Sequence, residues 1–159
     1  MADVDPLADF IRTHISDDAR TAEEAIGPLG GRWRADGGGG VEVVTEARTA
    51  DVYQRTVCFS GEGAPTIEEA LHIARNDPQR TIADAEARHR IVDLCESTIQ
   101  RAEDAYFHGD AETERERAGA AAQFARSVLR LLALRYADLG DYDPRWRPAQ
   151  PGDWPPLSL

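Results

Sequence analysis

The sequence predicts an α+β domain, mainly helical. An N-terminal helix and a long antiparallel helical hairpin, over about 78–138, accompany a small two- to three-stranded antiparallel sheet. Three observations predict it. Apolar residues recur at steps of three and four in separate stretches, as one face of a helix requires. β-branched runs bounded by glycine occupy the segment after the first of these stretches. Helix-start signals stand at Asp5-Pro6, Thr66 to Glu69 and Asp77-Pro78.

Asp5-Pro6 combines an N-cap residue with proline at the first helical position, so the first helix begins there. Leu7, Phe10, Ile11, His14 and Ile15 form its apolar face, loosely continued by Ala19, Ala22 and Ile26, and Gly27-Pro28 stops it. Asp17, Asp18, Glu23 and Glu24 take the opposite face. Arg32-Trp33-Arg34 leads into Gly37 to Gly40, which reads as a hairpin loop. Val41 to Val44 and Val52 to Phe59 read as strands. A hairpin alone is marginal in water, so the sheet must lie against the helices.

Thr66 with Glu69 starts a short helix running to about Asn76, and Asp77-Pro78 restarts it, because a residue before proline avoids the helical region. Ile82, Ala85, His89, Val92, Ile99 and Ala102 share one stripe of the next helix, which Gly109 ends. Asp110 caps the last long helix. Ala118, Ala121, Phe124, Ala125, Val128, Leu131 and Leu132 are read as its apolar face, interrupted by Arg135 and extended by Tyr136, and Gly140 closes it. The domain is expected to span 1–148, with Trp146 packed back on it, and 149–159 to form a proline-rich tail.

Composition excludes several classes of function. The 159 residues are 42% hydrophobic but only 7% aromatic, so the core must rest on aliphatic side chains and alanine. No apolar run approaches the ~18 residues of a membrane-spanning helix. The opening Met1-Ala2-Asp3-Val4-Asp5 is acidic where a secretory leader is basic and then apolar, so a cytoplasmic setting is expected. Two cysteines, Cys58 and Cys95, lie outside any C-x-x-C pattern and read as small buried apolar groups. The net charge of −11 disfavours ordinary nucleic-acid binding, which needs a clustered positive field. All 18 basic side chains are arginine. Codon bias in a GC-rich genome explains that together with the abundant alanine, glycine and aspartate.

Further residue patterns carry a resemblance. One block runs from His72 through Asp77-Pro78-Gln79-Arg80 to Glu86, Arg88 and Arg90-Ile91-Val92. Another runs from Leu129 to Leu134, then Tyr136-Ala137-Asp138, Asp141-Tyr142 and Trp146-Arg147-Pro148. With the acidic first helix and Arg32-Trp33, they resemble an uncharacterised family of small acidic proteins from high-GC Gram-positive bacteria and their phages. The resemblance implies a cytoplasmic role, linked to mobile elements, and no known activity. Some members carry extra Cys and His between the two blocks, which implies zinc there. Between Val92 and Leu129 this chain has only Cys95 and His108, so the resemblance implies no metal and no cofactor for it.

Catalytic candidates are few. His72 and Asp77 flank the helix restart, and a histidine beside a carboxylate can act as a general base. The simpler reading makes Asp77 a cap and gives His72 a buried hydrogen bond that fixes the bend. His89 and His14 each lie on an apolar stripe, and with His72 they would make a metal or acid–base site only if they converged. The Gly37 to Gly40 run lacks the G-K-[ST] ending of a phosphate-binding loop. Arg75, Arg80, Arg88 and Arg90 gather along the middle of the chain and are the candidate binding residues for a phosphate or carboxylate.

The leading expectation is a non-enzymatic accessory or protein-interaction protein with a protein partner or a second copy as its partner. The alternatives are a small metal-dependent or His/Asp-based hydrolase, and an acidic DNA mimic. Arginines interspersed among the carboxylates count against the last.

Overall fold

A computed structural model of the chain describes residues 5–46, 50–108 and 112–148. Its elements run α1 (Pro6–Glu24), β1 (Trp33–Ala35), β2 (Val41–Val43), α2 (Val52–Arg55), β3 (Thr56–Cys58), α3 (Ile67–Arg75), α4 (Pro78–His108) and α5 (Glu112–Ala133), with 3-10 turns at Leu134–Tyr136 and Pro144–Trp146. The fold is mainly helical, with an N-terminal helix, a packed pair of long helices and a three-stranded antiparallel sheet, as the sequence predicts. The chain divides into two compact units, 15–87 and 1–14 with 88–159. The division falls within α1 and within α4. The readings at Gly109, Asp110 and the tail 149–159 lie outside the described residues.

In the 15–87 unit the sheet order is β1-β2-β3. Trp33 pairs with Val43 and Ala35 with Val41, and a bulge at Val41/Glu42 shifts the register against β3. Trp33 thus opens a strand of its own. The Gly37 to Gly40 segment is the hairpin loop between β1 and β2, where Asp36 Oδ1 accepts from the main-chain N–H of Gly38 at 2.7 Å and of Gly40 at 3.0 Å. Gly39 has φ +90°, and a Cβ there would stand 2.3 Å from the Pro65 carbonyl oxygen, so only glycine fits. α3 packs on β1 and β2, with Ala70 and Val41 buried.

The reading of Val52 to Phe59 as one strand is corrected. Its first half is the helical turn α2, and only Thr56–Cys58 is strand. The cause is a local cap. Asp51 Oδ1 accepts from Gln54 N at 2.8 Å and Gln54 Oε1 accepts from Asp51 N at 3.2 Å, which closes a turn against the β propensity of Val52 and Tyr53.

In the other unit, Leu7, Phe10 and Ile11 of α1 are buried, as are Val92 and Cys95 of α4 and Ala122, Ala125, Leu129 and Ala133 of α5. Glu103 of α4 and Arg126 of α5 stand 3.9 Å apart. Arg12 of α1 donates to Asp93, at 2.6 Å, and to Glu96, both on α4. The Glu96 hydrogen bond, ahead of that to Asp93, raises the Arg12 guanidinium further above its ordinary value. Burial pushes the Cys95 thiol up, with Glu96 adding to the effect, so it stays protonated as an apolar filler.

Two further expectations on α5 are corrected. Its buried positions are 122, 125, 129 and 133, whereas Phe124 and Leu131 face outward, 68% and 48% exposed. The helix also ends at Ala133 rather than Gly140, and the tighter turn Leu134–Tyr136 follows. That turn carries Tyr136 into the core, where the sequence reading had it extending the apolar cover. At its other end, α1 stops at Glu24, and Ile26 is left on the surface.

Candidate functional site

The α3–α4 junction is built from two caps in succession. Thr66 Oγ1 accepts from Glu69 N at 3.2 Å, and Glu69 Oε2 accepts from Thr66 N at 2.8 Å. The Thr66 main-chain hydrogen bond, seconded by its hydroxyl, holds the Glu69 carboxyl below its usual range. At the far end of α3, Asn76 closes the helix by donating its Nδ2 to the His72 carbonyl oxygen at 2.8 Å and its main-chain N–H to the same oxygen at 3.2 Å. Asp77 then starts α4. It is 3% exposed, and its Oδ1 accepts from Arg80 N at 2.8 Å. Its main-chain oxygen takes both the N–H and the hydroxyl of Thr81, at 3.0 and 3.1 Å.

No hydrogen bond or ion pair joins His72 to Asp77. The Asp77 carboxylate is committed to the first turn of α4. His72 is exposed rather than buried, because the side-chain bond that secures the bend comes from Asn76. His72 lies on an open cleft of about 620 Å³ lined by Gly63, Pro65, Glu68, Glu69 and Ile73. Asp77→Ala is expected to lower stability by about 0.5–2 kcal/mol through loss of the cap. His72→Ala is expected to change it by less than about 0.5 kcal/mol. Urea unfolding of the two variants compares them directly, and an equal loss would undo the assignment.

The remaining histidines are built into the other unit. His14 Nε2 stands 3.0 Å from Asp141 Oδ2, and its ring packs edge-on to Phe10 at 4.5 Å and beside Tyr136 at 5.2 Å. His89 is half-buried on the α4 stripe. Among the described residues, no three His, Cys, Asp or Glu side chains are grouped as a metal ion needs. Of the arginines, Arg75 and Arg90 are exposed, Arg80 leans toward Asp77 at 4.0 Å, and half-buried Arg88 donates to the Tyr136 hydroxyl at 3.3 Å. Cys58 is half-buried and Cys95 buried.

What the sequence reading missed is the outer surface of α5. Ala120, Phe124, Leu131 and Leu134 are all exposed, with Ser127 half-exposed among them. Their spacing, alternately four and three, is that of a coiled-coil seam. The covered positions, buried 122, 125 and 129 with half-buried 118 and 132, have the same spacing, so α5 carries two seams, of which its own unit covers one. On α4, Ile91 and Leu94 are also exposed. Periodicity shows both seams, but it cannot say which one a neighbour covers.

These features define a mainly helical protein with a small antiparallel sheet, a buried-cap bend and an uncovered apolar helix face. The chain belongs to a family of unknown function, DUF6221, whose model matches residues 4–148. No curated protein and no solved structure matches it. Among the described residues, no helix is long and apolar enough to cross a membrane.

Proposed function

We propose that this chain is a non-enzymatic protein-interaction protein that works through the outer face of its helical pair. The observation that carries this reading is the exposure of Phe124 and Leu131 on α5. Large apolar groups set at seam spacing on one helix face are what helix-mediated recognition uses. The same proposal includes a cytoplasmic setting and, from the resemblance to a family found in bacteria and their phages, a link to a mobile element.

A photo-crosslinking residue at position 124, in the chain expressed in its native host, tests the reading. Adducts with protein are expected there and not at exposed Glu23 of α1. No adducts, or equal yields at the two positions, would overturn it.

The rival reading is a hydrolase centred on His72. In its favour, His72 lies on a cleft beside Glu68. Against it, the Asp77 carboxylate is buried in a helix cap and makes no hydrogen bond or ion pair with the imidazole. Loss of a measured hydrolytic activity in His72→Ala would favour the rival.

A further inference from the structure

We propose that the occupant of the α5 outer seam is α5 of a second copy of this chain, laid antiparallel to the first. The inference rests on the interaction reading above and names its partner. The seam holds Ala120, Phe124, Ser127 and Leu131, with Leu134 in the turn after α5 and Arg117 and Thr113 at the N-terminal end. Residues beside such a seam decide which helix pairs with which and in what direction.

On one border stand Glu116, Gln123 and Arg130, seven residues apart. On the other stand Glu114, Ala121 and Val128, followed by Arg135 in the turn after α5. Each border therefore runs from a carboxylate near the N-terminus to a guanidinium near the C-terminus. Antiparallel pairing about a two-fold axis near Gln123 sets Glu116 of each copy beside Arg130 of the other. A parallel pair would instead bring Arg130 of one helix beside Arg135 of the other, like against like.

The arrangement is isologous, because one surface meets itself, and it closes at two copies. The net charge of −11 opposes any association of two copies. The C-terminal half of α5, with Arg126 and Arg130 and no carboxylate, is where that repulsion is least.

Analytical ultracentrifugation of the full chain tests the proposal. A species of twice the 17.5 kDa chain mass is expected. Phe124→Glu with Leu131→Glu should weaken it by about 100-fold, while circular dichroism stays unchanged because both positions are exposed. Glu116→Arg alone should weaken it roughly tenfold by placing two guanidiniums together, and adding Arg130→Glu should restore it. Gln123→Cys should form an intermolecular disulfide on mild oxidation.

A monomer at all attainable concentrations would overturn the proposal, as would a dimer indifferent to Phe124→Glu with Leu131→Glu. A dimer that the charge exchange fails to restore would overturn the antiparallel pairing. A monomer that still gives adducts with a different protein at position 124 would overturn the self-pairing and leave the interaction reading intact. Absence of any adduct would remove both.

Discussion

Replacing Phe10 by alanine should lower the stability of the protein by about 3–5 kcal/mol, the largest loss expected from any single substitution on α1. Phe10 is 8% exposed and is the centre of an aromatic group rather than one member of it. Its ring meets His14 at 4.5 Å, Trp146 at 4.9 Å, Tyr142 at 5.9 Å and Tyr136 at 6.3 Å. The edge-to-face contacts among these, to His14, Tyr142 and Tyr136, add to the apolar area that the ring buries. The segment 134–148 has little regular structure of its own, and its attachment to α1 includes this ring, the His14–Asp141 pair and the packing of His14 beside Tyr136. Urea unfolding gives the loss, and near-ultraviolet circular dichroism should lose aromatic signal.

The hydroxyl of Tyr142 supplies the control. It is buried and has no hydrogen-bond partner among the described residues, so Tyr142→Phe removes an unsatisfied polar group and should be neutral or slightly stabilising. A Phe10→Ala loss below about 1 kcal/mol would mean that the aromatic group does not hold this segment.

Leu129→Ala and Leu131→Ala form the second test, and their difference matters more than either value. Leu129 is fully buried, whereas Leu131, two residues on, is 48% exposed. Truncating Leu129 should cost about 2–5 kcal/mol, because the transfer term and the cavity term add at a site walled by helices. Truncating Leu131 should cost less than about 1 kcal/mol in the unassociated chain. Thermal or urea unfolding at low protein concentration makes the comparison. If the two losses were equal, or reversed, the inner and outer faces of α5 would be misassigned, and the seam proposed for a second copy would be the core instead.

Much of the fold was legible because local chemistry and tertiary packing agree. The Thr66 and Glu69 capping box, the Asp77-Pro78 restart and the Gly37 to Gly40 hairpin loop are each settled by a few adjacent residues. Where local signals compete, reading fails. Val52 and Tyr53 favour strand, yet Asp51 and Gln54 close a turn around them, and a capping box four residues wide outweighs the propensity of two side chains. His72 was a natural choice for a buried hydrogen-bonding group at a bend. Asn76 takes that task because its amide reaches the His72 carbonyl oxygen across one helical turn.

The candidate site was less legible than the fold. His72, Asp77 and His89 are all the residue types that chemistry uses, but type alone does not commit a side chain to chemistry. Asp77 turns its carboxylate to Arg80 N, and Arg88 spends its donor on Tyr136. The Asp77 bond is the cap that Asp77-Pro78 announces, whereas the Arg88 bond spans 48 residues and has no sequence signature.

The sequence by itself determined which stretches form the longer helices, where three of them start, that the sheet is small and antiparallel, and that α5 has apolar residues on more than one face. Tertiary structure alone decided which of those faces is covered. A helix has no inside until something packs on it. The two seams of α5 differ by a rotation of the helix, and both satisfy the same periodicity. The face of Ala122, Ala125, Leu129 and Ala133 is the one that is buried, and the bulkier Phe124 and Leu131 are left facing outward.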